Sequence, residues 1–282
     1  MAPHTRDKVL KAAKLLNYTV SKAASSLASG QTNRIALLAR DHIAGWFMGE
    51  LMDGLYDVLN PARYDLLVYR AGSMKERSTF FTNLPANRNA DALIMTGFPA
   101  TDQEEQALTS MGMPIILVNS PDTDCCQGSV AINDEASEEA MVRYLAAIGH
   151  RKFCYIGRKE PLPGSKWGHD NRAVGYRNTI ADLNLTDCGI YYIDLTDPLS
   201  VIHELRSNGV RVPEDISVAG HDGSDVAASI KLTTMAQPAR EIGRIAARKT
   251  LDLAAKKTLD EPRTIIQTVL TPGDTTRPIA HE

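Results

Sequence analysis

Val212-Pro213-Glu214-Asp215-Ile216-Ser217-Val218-Ala219-Gly220-His221-Asp222 runs from a helix stop through an apolar stretch into a polar tip. Pro213 cannot continue the helix predicted over 199–208. The alternation of Ile216 and Val218 reads as a parallel strand, and Gly220 frees the backbone to turn so that Asp222 leaves the sheet's carboxyl edge. Open α/β sheets bind ligands at that edge.

Working outward from this strand, the chain alternates strand and helix. Before it lie strands at 35–39, 64–69, 92–96 and 114–119, separated by helices at 47–59, 74–84 and 104–111. After a loop the rhythm resumes with strand 129–132, helix 135–149, strand 152–156, helix 171–183, strand 190–193, helix 199–208 and strand 216–219. Such alternation specifies parallel sheets covered by helices, here two α/β lobes in series. A late helix at 239–255 and a last strand at 264–270 return between the lobes and make a hinge of several crossovers. The expected division is a segment 1–32, a first lobe of 33–128 plus 237–260, and a second lobe of 129–236 plus 261–276.

The bulk numbers exclude several classes. With 282 residues, 43% hydrophobic and 23% charged, the chain is long for a single core and ordinary for a globular protein. Its apolar runs are strand-sized, and no charged-then-apolar signal opens it, so no membrane association and a cytoplasmic location are expected. Cys125, Cys126, Cys154 and Cys188 show neither metal-ligand nor disulfide spacing, so no metal site is expected. No cofactor is expected either. Phosphate-loop, dinucleotide, zinc-protease and nucleophile-elbow patterns are absent, which argues against an enzyme. The loop Pro163-Gly164-Ser165-Lys166 lacks the upstream glycine of a phosphate loop. A net charge of −3 gives no global attraction to nucleic acid, yet Arg6, Lys8, Lys11, Lys14, Lys22, Arg34 and Arg40 face only Asp7 in the first 40 residues.

That basic segment differs from the rest. A helix is predicted over 5–16, capped by Thr5, followed by a break at Asn17-Tyr18 and a short Ala/Ser-rich piece over 21–29 capped by Ser21. With Leu27 as its one large apolar group, the second piece needs a partner to become a helix.

Taken together, Thr5-Arg6-Asp7-Lys8-Val9-Leu10, Leu16-Asn17-Tyr18, Ser26-Leu27-Ala28-Ser29-Gly30-Gln31-Thr32, Ile148-Gly149-His150-Arg151-Lys152, Arg172-Ala173-Val174-Gly175-Tyr176-Arg177, the run ending at Asp222, and Leu232-Thr233-Thr234-Met235-Ala236-Gln237-Pro238 resemble the LacI/GalR family of bacterial transcription regulators. The resemblance spans nearly the whole chain. It implies a helix-turn-helix headpiece, a hinge helix, and two Rossmann-like lobes of the type I periplasmic-binding-protein kind. It also implies a repressor that binds operator DNA as a dimer and takes a small polar effector, a sugar or polyol, between the lobes. Dimerisation would pair lobes side by side through the helix 47–59. The rival from another class is a periplasmic-type solute-binding protein with the same two-lobed body, which has no use for a hinge helix.

Carried over position by position, Leu27 falls where the family wedges a leucine into the minor groove; the alternative is an ordinary helix contact. Ser26 neighbours it and Lys22 supplies charge, while the family's arginine two residues before the leucine is Ser25 here. The recognition helix expected before Thr5 is absent, so Met1-Ala2-Pro3 reads as a truncation point and operator reading is expected of a longer parent.

In the cleft the resemblance implies effector contacts from Arg172 and Asp222, a guanidinium fork and a carboxylate suited to hydroxyls. The alternative for this pair is a mutual salt bridge bracing the lobe. Trp46 and Phe47 offer aromatic faces to an effector ring, or pack under the first helix. Asn119 and Ser120 end the fourth strand and Asn133 with Asp134 begins the second lobe, where they make contacts or serve as turns and caps. His221 replaces the family's usual phenylalanine and brings pH sensitivity.

A second departure is Asp194-Leu195-Thr196-Asp197-Pro198, which joins a strand directly to the helix before Gly209. The family has a further helix and strand there. Their loss is expected to leave a hole in the second sheet, and we read the junction as a break in the chain.

Overall fold

The computed structural model describes residues 31–39, 43–71, 73–83, 89–97, 101–120, 125–158, 170–193 and 198–279, with isolated positions between 4 and 15. Lys22, Ser26, Leu27 and the hinge-helix expectation lie outside the described residues, as does the junction at 194–197.

The first lobe is a six-stranded sheet whose neighbouring strands are all parallel. In chain order its elements begin with β1 (Arg34–Ala39), α1 (Trp46–Leu59), β2 (Asp65–Arg70) and α2 (Met74–Asn83). They continue with β3 (Ala92–Thr96), α3 (Asp102–Ser110), β4 (Ile115–Val118) and β5 (Gly128–Ile132). The spatial order is β10-β5-β4-β3-β1-β2, where β10 is Arg263–Ile266, far along the chain.

Near-continuous apolar strands such as Ile35-Ala36-Leu37-Leu38-Ala39 fit a sheet covered on both faces. Ile35 and Leu37 pack with Leu51 and Leu55 of α1 and with Ile242 and Ala246 of α8 (Ala239–Ala254). Leu38 and Leu93 face the other way, against Leu108 of α3 and the rings of Phe80 and Phe81 in α2. The helices α1 and α8 touch backbone to backbone. A Cβ on Gly54 would lie 2.0 Å from the Arg240 carbonyl oxygen, and one on Gly243 would lie 2.4 Å from that of Leu51.

The second lobe contains α4 (Asp134–Ala147), β6 (Lys152–Arg158), α5 (Asn171–Asp182), β7 (Thr186–Ile193) and α6 (Pro198–Ser207). It continues with β8 (Ala219–Asp222), the short α7 (Asp225–Ser229), β9 (Thr233–Ala236) and β11 (Val269–Thr271). Its strands form two separate sheets, β6-β7 and β11-β9-β8. Among the described residues β6 pairs only with β7, and β8 only with β9. The sheet is therefore divided where the hole is expected, and Ile156, Tyr191, Tyr192 and Ile193 beside it are exposed.

Three expectations are corrected. The strand assigned to 129–132 of the second lobe is β5 of the first sheet, because Val130 and Ile132 complete that core and Ile116 pairs with Gly128. The strand expected over 264–270 is two strands in different sheets. β10 runs parallel to β5, and after Gln267-Thr268 the chain enters the other lobe as β11, antiparallel to β9. The strand expected over 216–219 begins only at Ala219. Val218 bonds instead to Thr275, its N–H to the carbonyl at 2.9 Å and its own carbonyl accepting from the Thr275 hydroxyl at 2.7 Å.

Three crossovers thus join the lobes: at Asn133, at Gln237-Pro238 and at Gln267-Thr268. The first and third are tied by a 2.7 Å hydrogen bond between the hydroxyls of Ser137 and Thr268.

Candidate functional site

The site is built where strands end and crossovers begin. β4 stops at Asn119, which sits at φ +43°, a left-handed conformation that asparagine tolerates. Its side-chain oxygen accepts from the Ile132 N–H at 3.2 Å, and its Nδ2 donates to Gln237 Oε1 at 3.2 Å. Gln237, on the second crossover, in turn donates from Nε2 to Asp222 Oδ1 at 2.6 Å and from its backbone N–H to the Asp222 carbonyl at 3.1 Å. One carboxamide therefore links the carboxyl end of the first sheet to that of the second.

Asp222 leaves β8 as expected, but not through Gly220. The chain turns at Asp222 and Gly223, with φ +83° and +70°. Gly220 is required for packing, since a Cβ there would lie 2.8 Å from Leu232 Cδ2 and 2.9 Å from Pro198 Cγ.

Arg172 opens α5. The helix is capped by Asp170, whose Oδ1 accepts from the N–H groups of Arg172 and Ala173 and whose Oδ2 accepts from the Tyr155 hydroxyl at 2.8 Å. Gly175 brings α5 against α4, because a Cβ there would be 2.3 Å from the Glu135 carbonyl oxygen. That approach lets Arg172 Nε donate to Asp134 Oδ1 at 2.7 Å. The expected alternative of an Arg172–Asp222 bridge is not made. Asp134 is the direct partner, and Asp222 acts on the guanidinium through space.

The electrostatics follow from this crowding. Burial works against the charge of Arg172, but Asp134 and Asp222 outweigh it and push its pKa up. Burial raises Asp222, while His221, Arg172 and Gln237 pull harder in the other direction and leave it below the usual carboxylate range. His221 is lowered, chiefly by burial. Glu138, one turn along α4 from Asp134, is pushed up to about 7 by burial; Arg172 offsets this in part, and Asp170 and Asp134 add to it.

Of the residues expected from sequence, Arg172, Asp222, His221 and Asn119 come together, joined by Gln237. Ser120 is buried beside Asn119. Asn133 serves as the cap of α4, its Oδ1 accepting from the Ala136 N–H at 3.0 Å. Phe47 packs against the first core, and Trp46 is half-buried at the start of α1; no described contact joins either to Arg172. Glu138, Asp170, Tyr155 and Gln237 were not singled out by sequence, whereas Asp134 was, beside Asn133. For Gln237 a signal existed, in the Ala236-Gln237-Pro238 step after a strand. A cavity of about 620 Å³ lies in the first lobe, lined by Tyr69, Phe80, Leu93 and Met113, away from these groups.

Residues 189–276 match the model of a periplasmic binding protein-like domain. Over 93% of its length the chain is 26% identical to the HTH-type transcriptional regulator RegA of Clostridium saccharobutylicum, covering 87% of that protein. Among solved structures, a transcriptional regulator CelR–cellobiose complex superposes with a TM-score of 0.74 at 22% identity, over 98% of this chain and 91% of that one. A LacI family transcriptional regulator from Enterococcus faecium with bound ribose superposes with a TM-score of 0.73 at 20% identity, over 88% and 100%. These relatives are regulators rather than enzymes. Among the described residues no helix is long and apolar enough to cross a membrane.

Proposed function

We propose that this chain, a member of the LacI family, is an effector-responsive transcriptional regulator. It holds a small sugar-like molecule between its lobes and, as a cytoplasmic homodimer, passes occupancy on to operator DNA. The observation that carries this reading is the relay Asn119–Gln237–Asp222, which spans the crossovers and ends beside Arg172. A ligand bonded to Asp222 and Arg172 on one side and to the first-lobe strand ends on the other favours one lobe angle over another, and such a bias is what regulation requires. The relatives with cellobiose and ribose support a sugar-like effector. The names of the sequence relatives support the DNA-linked role.

Arg172 and Asp222 bind the effector in this reading, with Asn119, Ser120 and Trp46 closing from the first lobe and Asn133 and His221 from the second. The test is a thermal-shift screen of the protein against sugars and polyols, where a saturating ligand raises stability by about 3 kcal/mol at a hundred times its Kd. Arg172→Ala and Asp222→Ala should each abolish the shift of any hit. A shift that survives both removes the site, and sedimentation at equilibrium tests the dimer.

A further inference from the structure

The Arg172 cluster carries more negative charge than its one guanidinium balances. Asp134, Glu138, Asp170 and Asp222 all act on one another or on Arg172, and they come from two elements, α4 and β8, and the cap of α5. Asp170 is fully used as the cap of α5 and acceptor of the Tyr155 hydroxyl, and Asp134 is bound to Arg172. Glu138 is different. It lies on the same face of α4 as Asp134, four residues on, and among the described residues no hydrogen bond reaches it.

A cluster of carboxylates needs an independent sign of a ligand, and His221 provides one. Its side chain is only 10% exposed, and among the described residues neither Nδ1 nor Nε2 has a hydrogen-bond partner. Nδ1 stands 3.8 Å from Asp222 Oδ1, which places the ring at the cluster. Buried polar atoms are nearly always satisfied, so an orphaned imidazole here marks where a bound molecule supplies the missing partners. A neutral imidazole has one donor and one acceptor nitrogen, matching a ligand that has both N–H or O–H groups to give and oxygens to receive.

We infer that the effector carries a positively charged amine, as an amino sugar does, and that Glu138 and His221 select it over neutral sugars and against sugar phosphates. This inference rests on the effector site proposed above. An ammonium group bound at Glu138 would be held by the surplus carboxylates, which Arg172 alone leaves unneutralised. A phosphate placed in the same space would face four carboxylates with one guanidinium already committed to Asp134. His221 bonds the hydroxyl flanking the amine.

The experiment is a set of matched titrations on the full chain: glucosamine with glucose, galactosamine with galactose, and glucose 6-phosphate, followed by calorimetry or thermal shift. The expected result is an amine bound about tenfold tighter or better than its parent hexose, with the phosphate weakest. Glu138→Gln should weaken the amine more than its parent hexose and so shrink the amine preference, and His221→Phe should weaken both members of a pair. A parent hexose or phosphate that binds as tightly as the matching amine overturns the inference and leaves the effector site standing. Binding of none of the five overturns both. Should Glu138→Gln fold poorly, the wild-type pairs decide alone.

Discussion

Gln237 Nε2 donates to Asp222 Oδ1 at 2.6 Å while Gln237 Oε1 accepts from Asn119 Nδ2 at 3.2 Å, so a single carboxamide is the polar contact between two strand ends in two lobes. A carboxamide can give on one side and receive on the other, which neither a carboxylate nor an ammonium can do. Replacing Gln237 by Leu keeps the volume and strands both neighbours. We expect a loss of about 1–3 kcal/mol, read by urea denaturation, with a weaker effector response. Gln237→Glu should be worse than Gln237→Leu, since it sets a second carboxylate against Asp222.

Glu138 makes stability depend on pH. Its folded pKa, about 7, is above its ordinary value of 4.5, so the folded state binds the proton more tightly. Its contribution is complete below pH 4.5 and is lost as pH rises through 7. His221, lowered in the fold, acts oppositely: its contribution is present above its ordinary 6.5 and is lost in acid. Denaturation curves at pH 6 and pH 8 should therefore show the wild type losing about 1–3 kcal/mol that Glu138→Gln does not lose. A wild-type curve with no such loss relative to the variant would count against this account of Glu138.

Gly243 packs where α8 crosses α1. Gly243→Val puts a branched side chain 2.4 Å from the Leu51 carbonyl oxygen, so the helices must separate and the first core must open. The expected cost is about 1–3 kcal/mol or more, seen as a lower melting temperature without any change in effector selectivity.

Arg77 and Glu104 form an ion pair between α2 and the start of α3, with side chains 5% and 13% exposed. Glu104 also closes the capping box of α3 with Thr101. Burial raises the Glu104 pKa, but Arg77 and Thr101 prevail and lower it, so its contribution is present above its ordinary 4.5 and fades in acid. Arg77→Ala strands the carboxylate and should cost about 3–5 kcal/mol, while Arg77→Met with Glu104→Leu should recover most of it. Equilibrium unfolding of the single and double variants tests this.

Sequence periodicity was enough for β1 to β4 of the first sheet. A strand such as Ile35–Ala39, apolar at every position, has no solvated face, so a parallel layer between helices is its stable setting whatever its neighbours are. The placement of Arg172 and Asp222 at element ends was likewise legible, because each boundary is marked locally, by the Asp170 cap and by the polar tip after β8. What sequence could not assign was membership. Val130 and Ile132 read the same in either lobe, and only the open edge beside β4 draws them into the first core.

The partners of the site were decided the same way. Sequence places Arg172 and Asp222 at strand and helix ends but carries no information on which carboxylate meets the guanidinium, since that depends on how closely α5 lies against α4. Gly175 sets that distance, and it gives the Arg172 contact to Asp134. Gln237 and Glu138 look like ordinary polar residues beside a strand and on a helix. Their roles arise because tertiary packing brings separated segments within hydrogen-bond reach and removes water from a group of like charges. Local patterning marks most of the elements and their polar ends; which of those ends face one another follows from packing, because pairing depends on distance through space rather than along the chain.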